Sequence, residues 1–304
     1  MPVPHANLAR MLGTDFARSY SISDAVVAGF APAAGISASL GNALPEQGWF
    51  AWATPRQVNF SDRTVGFTTH GSMSEVTFGV GYRANPDLIF GLAFGPEWTN
   101  VSFQGLSASL EQTGFGGGPF IGWRLRPTTI FDAWAGYVRL DRSFDVFGHG
   151  ATMPVDRVFI SANLTEIIET PWVRFVPRLS LFHAHDDVRT STSTLGLVIP
   201  GQGYSWGHVE ASLEMNKDVT LSSGLWVQPF LRATLRYDTE RIVDTVSPLN
   251  REDVELTRWH GQLRGGVRAK LGAQSELWLS GGYLSLFTPE IRAWEAKAQL
   301  RVRF

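Results

Sequence analysis

The stretch Leu225–Tyr237, LWVQPFLRATLRY, decides the reading of this chain. Its odd positions are Leu225, Val227, Pro229, Leu231, Ala233, Leu235 and Tyr237; its even positions include Gln228, Arg232, Thr234 and Arg236. Apolar and polar side chains alternate with a period of two, the signature of a β-strand whose successive side chains point to opposite faces. The pattern repeats downstream. In Thr257–Leu271, Trp259, Leu263, Val267 and Ala269 alternate with Arg258, His260, Gln262, Arg264, Arg268 and Lys270. In Trp294–Phe304, Trp294, Ala296, Ala298, Leu300, Val302 and Phe304 alternate with Glu295, Lys297, Gln299, Arg301 and Arg303. These segments run past ten residues, where soluble strands usually stop at about five or six.

Working outward, turn-like dipeptides punctuate the chain at Asn85-Pro86, Arg126-Pro127, Thr170-Pro171, Ser223-Gly224 and Gly272-Ala273. They recur every 42 to 52 residues, enough for two long strands and a loop in each interval. Two strands before the first turn, eight in the four intervals and two after the last make twelve, an even number suited to a closed antiparallel barrel. The longer connections at the other end are expected in the polar or irregular segments Val101–Ser107, Phe144–Asp156, His185–Gly203 and Asp238–Val254.

Composition narrows the class. Among 304 residues, charged side chains are 18%, aromatics 12% with 11 Trp, and glycines 31. Mean hydropathy is −0.04, and no stretch reads as a spanning helix, which excludes a helical-bundle membrane protein. The net charge of −2 gives no reason to expect nucleic acid. Cysteine is absent, excluding disulfides, Cys-ligated metal centres and a thiol nucleophile. A soluble β-sandwich or barrel would turn the apolar set inward; a membrane barrel turns it toward lipid. Strand length favours the second. So does the size of a twelve-stranded lumen, too wide for aliphatic side chains to fill. Tryptophans near strand ends (Trp123, Trp172, Trp206, Trp226, Trp278 and Trp294) suit interfacial girdles. On this assignment Arg232, Arg236, Arg258, Arg264, Arg268, Lys270, Lys297, Arg301 and Arg303 point inward and form one basic wall. Such a wall keeps the interior wet, grips acidic groups or the carbonyl end of a helix, or favours anions.

The first 46 residues differ. Leu8, Met11, Leu12 and Phe16 fall on one face of a short helix, with Arg10, Asp15 and Arg18 mostly off it. Ala25–Pro45 carries no charge and is rich in Ala, Gly and Ser, which suits passage through a narrow space. A signal peptide here would need an unusually long basic region. The division expected is 1–46 as helix and linker and 47–304 as barrel.

The terminal strand Trp294–Phe304, with Trp294, Leu300, Val302 and Phe304 on its apolar face, resembles the signal read by the outer-membrane barrel assembly machinery. The wider pattern resembles the translocator domain of autotransporters, the type V secretion systems. It includes the short N-terminal helix, the opening strand Gly48–Trp52, the run Phe78–Leu88 and the segment Val227–Phe230. The resemblance implies a twelve-stranded barrel in the bacterial outer membrane, plugged by the N-terminal helix and exporting or tethering an N-terminal passenger. It further implies periplasmic chaperones and the assembly machinery as partners, outer-membrane lipid as surroundings, a monomer, no cofactor and no catalysis. Two departures stand out: no passenger precedes the helix in this sequence, and Asn7-Leu8 and Asn42-Ala43 lack the Asn pair of self-cleaving members.

Two other classes are weighed. One is a stand-alone outer-membrane channel or adhesin. The other is a hydrolase whose rim carries His183, His185 and Asp187. The two imidazoles share a strand face about 7 Å apart, a spacing open to zinc or to catalysis with Ser205, His208 or His149. The cluster also reads as a polar strand end. Gly114–Gly118 is no phosphate loop, lacking a following Lys-Ser/Thr; it is expected to mark a bulge or to make room for the plug.

Overall fold

The computed structural model describes residues 47–63, 68–105, 107–240 and 258–304. Twelve long strands form the wall: β1 (Gly48–Asp62), β2 (Thr69–Asn85), β3 (Leu88–Phe103), β4 (Ala108–Arg124), β5 (Thr129–Val146), β6 (His149–Glu166), β7 (Arg174–Val188), β8 (Gln202–Asn216), β9 (Trp226–Glu240), β10 (Trp259–Lys270), β11 (Ser275–Tyr283) and β12 (Ile291–Arg303). Each pairs antiparallel with its neighbours in sequence, and β12 pairs back onto β1 from Phe50↔Arg303 to Asp62↔Ile291, so the sheet closes. Closure removes the unpaired edges that an open sheet would expose to lipid. Two-residue strand pieces at Ile168–Glu169 and Val219–Thr220 extend two turns, and Ser191–Thr192 with Val198–Ile199 makes a small hairpin beyond β7.

The five turn dipeptides all fall between paired strands at one end, as the spacing predicts. At the first, the Asp87 amide donates to the Asn85 side-chain oxygen at 2.8 Å, a local bond that fixes the turn. Short turns mark the periplasmic end of such barrels. The opposite end departs from expectation. Val101–Phe103 and Phe144–Val146 are strand rather than loop, and β5 and β6 join through Phe147 and Gly148 alone. Phe147 has φ 55° and Gly148 φ 79°, the left-handed pair required by the tightest hairpins. The Gly148 amide is held by the Asp145 carboxylate at 2.9 Å.

Side chains sort as the alternation demands. Leu213, Leu231, Leu235, Leu263, Leu279 and Leu300 lie on the outer face, each 41–46% exposed, while Arg232, Arg264 and Arg301 from the same strands point inward. Outer aromatics make two belts. Trp49, Tyr82 and Phe90 stand together near the turns, with ring centroids 5.1 and 6.1 Å apart. Tyr237–Trp259 and Tyr283–Trp294, at 4.8 and 4.7 Å, stand at the other end with Trp98. From Trp294 to Phe304 is roughly 33 Å along the strand at about 3.3 Å per residue, or about 25 Å across a membrane at a tilt near 40°, the height of a lipid-facing band. Three tryptophans expected in these girdles lie elsewhere: Trp206, Trp226 and Trp278 point into the lumen, where cationic side chains cover their rings.

β5 and β6 have 18 residues each, against the 9–11 or so that suffice to cross a membrane. The excess projects beyond the extracellular belt. Gly114–Gly118 forms no bulge against β3, since its register runs unbroken from Glu97↔Gly114 to Ala93↔Gly118. These glycines let strands curve closely: a Cβ on Gly116 would lie 2.4 Å from the Tyr137 carbonyl oxygen.

Candidate functional site: the barrel lumen

Parity along β8–β12 places Arg232, Arg236, Arg264, Arg268, Lys270, Lys297, Arg301 and Arg303 on the inner face, and Arg258 just ahead of β10. The wall is basic in part only, because β8, β9, β11 and β12 also deliver carboxylates inward. Glu295 on β12 accepts from Arg56 of β1 at 2.6 Å and from Arg264 of β10 at 2.7 Å. Arg56 also lies 3.7 Å from Glu75 of β2. Glu214 on β8 accepts from Arg232 at 2.5 Å and Arg268 at 2.7 Å. Asp238 accepts from Arg236 at 2.8 Å and His260 at 3.0 Å. Glu276 takes Arg301 at 3.2 Å and Arg303 at 2.5 Å. Arg258 donates to the backbone oxygens of Asp238 and Thr239 at 3.4 and 3.2 Å. Charges this buried are tolerable only when paired, and the pairs run across β-ladders that hydrogen bonds already fix.

A second network lies on the other half of the wall, at the level of the extracellular belt. Asp186 on β7 binds Arg157 of β6 through two bonds, 2.7 and 2.9 Å. Arg142 of β5 reaches Asp186 at 3.7 Å, Gln112 of β4 at 3.1 Å and the Tyr204 hydroxyl of β8 at 2.5 Å. Gln112 donates onward to Glu97 of β3 at 3.0 Å. Six adjacent strands are thus laced from inside. None of these residues was anticipated from the sequence, although the parity rule applied to the arginines reaches the acids as well.

Within the first network, aromatic rings line the inner face. Arg268 lies 4.4 Å from the centroid of Trp278 and 4.6 Å from that of Phe230; Lys270 sits 4.9 Å from Trp226. Such cation–π contacts hold a charge on an apolar patch of wall. On β1, Trp52 and Phe50 point inward over Gly79 and Gly81 of β2, where a Cβ would meet ring atoms at 2.2 and 2.4 Å.

His183, His185 and Asp187 lie on the outer face of β7, not in a cleft. His185 Nδ1 is 3.0 Å from the Ser205 hydroxyl, and His183 is 3.5 Å from Glu240. Among the described residues, no group of His, Asp and Glu side chains could hold a metal ion. His208 points into the lumen, so the imidazoles do not converge. The residues expected to form an N-terminal helix, Leu8 to Arg18, lie outside the described residues. On β12, Trp294, Leu300 and Phe304 are 61, 44 and 69% exposed on the lipid-facing side, Val302 shares that face, and the Phe304 amide closes onto the Trp49 carbonyl at 3.2 Å.

Comparison with known proteins agrees with this geometry. The translocator domain of the autotransporter NalP from Neisseria meningitidis superposes with a TM-score of 0.72 at 14% identity, covering 97% of this chain and 99% of that one. The beta domain of the Bordetella autotransporter BrkA gives 0.65 at 17% identity over 84% of this chain and all of that one. The transport unit of AIDA-I from Escherichia coli gives 0.57 at 15% identity over 91% and 100%. At these identities the likeness establishes the fold. No curated relative matches the sequence significantly. The autotransporter beta-domain family matches residues 51–282, so the chain belongs to that family and is a translocator barrel of the bacterial outer membrane.

Proposed function

We propose that this barrel exports, and then tethers, a passenger lying N-terminal to β1, with residues 1–46 left in the lumen as plug and tether. One observation carries the reading. β1 starts at the periplasmic mouth, where the Gln47 side chain donates to the Ala84 carbonyl beside the first turn at 2.9 Å. Any segment before β1 that is displayed at the cell surface must therefore pass up through the barrel. The uncharged run Ala25–Pro45 can make that passage beside paired lumen charges without bringing an unpaired one. Lys270, held over Trp226 at the periplasmic side, stands where the carbonyl end of a helix descending to β1 is favoured by a nearby cation.

Trp294, Leu300, Val302 and Phe304 serve as the assembly signal, recognised by the barrel assembly machinery after delivery by periplasmic chaperones. The barrel acts as a monomer, binds no cofactor and makes or breaks no bond. Deleting residues 1–46 tests the plug: single-channel current in planar bilayers rises if they fill the lumen, and equal currents overturn it.

A further inference from the structure

We propose that the outer wall at the β12–β1 closure carries a seat for one phosphorylated lipid of the outer leaflet. Its acyl chain lies in a groove across β10–β1 and its phosphate on Arg63 and Arg292. The proposal needs the membrane placement of the barrel and is independent of what occupies the lumen.

A depression of about 710 Å³ opens on the lipid-facing side, within the roughly 300–1,000 Å³ of small-molecule sites. Small residues line it: Gly265 of β10, Gly281 of β11, Ala296 and Ala298 of β12 and Pro55 of β1, beside Leu279, which is 46% exposed. Gly265, Gly281, Ala296 and Gln57 face one another in consecutive register across four strands. The fold itself does not ask for these two glycines. At Gly79, Gly91 and Gly116 an added Cβ would lie 2.2–2.4 Å from ring or backbone atoms; at Gly265 and Gly281 the nearest atoms are 3.7 and 3.5 Å away, ordinary contact. Both positions have room for a side chain toward lipid, and its absence creates the groove. Lipid tails are as apolar as leucine, so the hydrophobic effect does not draw a chain to the wall. Contact does: a groove surrounds an acyl chain on more sides than a convex wall, and dispersion sums over those contacts.

The groove slopes. Gly265 lies six residues to the membrane side of Trp259 on β10, about 15 Å deeper at about 3.3 Å per residue and a tilt near 40°. Ser74, at the other end, pairs directly with Trp98 of the extracellular belt. Polar groups gather at this upper end. The Ser74 hydroxyl donates to Gln57 Oε1, while Gln57 Nε2 makes long contacts of 3.4 Å each with the Val58 carbonyl and Asn59 Oδ1. The amide therefore keeps donor capacity for an ester or amide carbonyl at the top of an acyl chain.

Further out on the same face stand two cations. Arg292 pairs with Ser61, Arg63 follows on the alternation that runs Gln57, Asn59, Ser61, and both are exposed. Neither guanidinium has an ion-pair partner among the described residues. Glu290 donates no side-chain pairing to them and meets Arg63 through the backbone, so two arginines against one glutamate leave the patch positive. Guanidinium groups bind phosphate in bidentate geometry. Groove, carbonyl donor and phosphate-binding pair thus follow one another in the order in which a phosphorylated acyl lipid presents the matching parts.

Native mass spectrometry of the whole barrel in detergent, titrated with lipid A (a bisphosphorylated, acylated disaccharide), counts bound lipid, and heat-modifiable mobility checks folding. The variants are Gly281→Leu and Gly265→Leu, either of which fills the groove, and Arg63→Gln/Arg292→Gln. The native barrel should retain one lipid A. Occupancy should fall severalfold in whichever groove variants fold, in the arginine variant, and in the native barrel given lipid A stripped of its phosphates. No lipid retained by the native barrel, or unchanged occupancy in a folded groove variant, overturns the seat. Equal retention of the phosphorylated and stripped lipids overturns the phosphate assignment and with it the proposal. A dimer that is lost in Gly281→Leu, in place of a bound lipid, gives the groove to a second copy and overturns it as well.

Discussion

Replacing Glu295 by alanine removes the acid shared by two guanidinium groups. Arg56 lies 2.6 Å from it and Arg264 2.7 Å, and the Glu295 side chain is 3% exposed. Stripping one partner from a buried ion pair costs about 3–5 kcal/mol, because the remaining charge is left without compensation. Two features of the site place this case at the low end. Arg56 keeps Glu75 at 3.7 Å, and the Arg264 side chain is 20% exposed and can turn to lumen water. The expected loss is therefore about 3 kcal/mol, roughly two powers of ten in the unfolding equilibrium. Urea unfolding from detergent micelles or lipid vesicles, followed by tryptophan fluorescence and heat-modifiable mobility, measures it. The control is Glu169→Ala, which breaks the pair with Arg174 at the turn, where the Glu169 side chain is 61% exposed. Exposed pairs contribute about 0–1 kcal/mol. If the two substitutions cost the same within about 1 kcal/mol, the lumen charges are free in water and the account of the wall as a laced structure fails.

Gly79→Ala places a methyl group 2.2 Å from a ring atom of Trp52, so the indole must leave its seat across the β1–β2 ladder; a loss of about 1–3 kcal/mol, as for overpacked cores, is expected in the same unfolding assay, and a neutral result contradicts the close seating. Phe304→Asp puts a charge on the lipid-facing end of β12 and removes the proposed assembly signal; the fraction reaching the heat-modifiable outer-membrane form should fall severalfold, and undiminished assembly removes that role.

The C-terminal strands were legible because their alternation is strict and their inner faces are charged. The turns were legible because Pro and Gly cluster there, and five of them sufficed to count twelve strands. The extracellular end read poorly. Residues 144–156 carry charge, glycine and proline, which suggest a loop, yet a left-handed Phe147-Gly148 pair lets both strands run on. That pair lacks the Asn-Gly or Asp-Gly sequence that normally announces such a turn. Tryptophan near a strand end does not say which way its ring points. Parity sets the direction in every case: Trp226 and Trp278 fall on the inward positions of their strands, where Lys270 and Arg268 sit over them, and Trp49, Tyr82 and Trp259 fall on the outward positions that make the belts. The basic wall was half seen: Glu214, Asp238, Glu276 and Glu295 obey the same parity as the arginines they bind. The second network, centred on Asp186, joins residues from six strands, and only the register brings them together.

Everything rests on the aliphatic face meeting lipid. Single nitroxide labels on Leu231→Cys and on Thr234→Cys, one on each face of β9, read this directly in lipid vesicles. The account predicts that the label at 231 relaxes with dissolved oxygen and ignores a water-soluble nickel chelate, and that the label at 234 shows the lower ratio of oxygen to nickel access. The opposite ordering would place the leucines in the middle and the arginines outside, contradicting a membrane-spanning barrel.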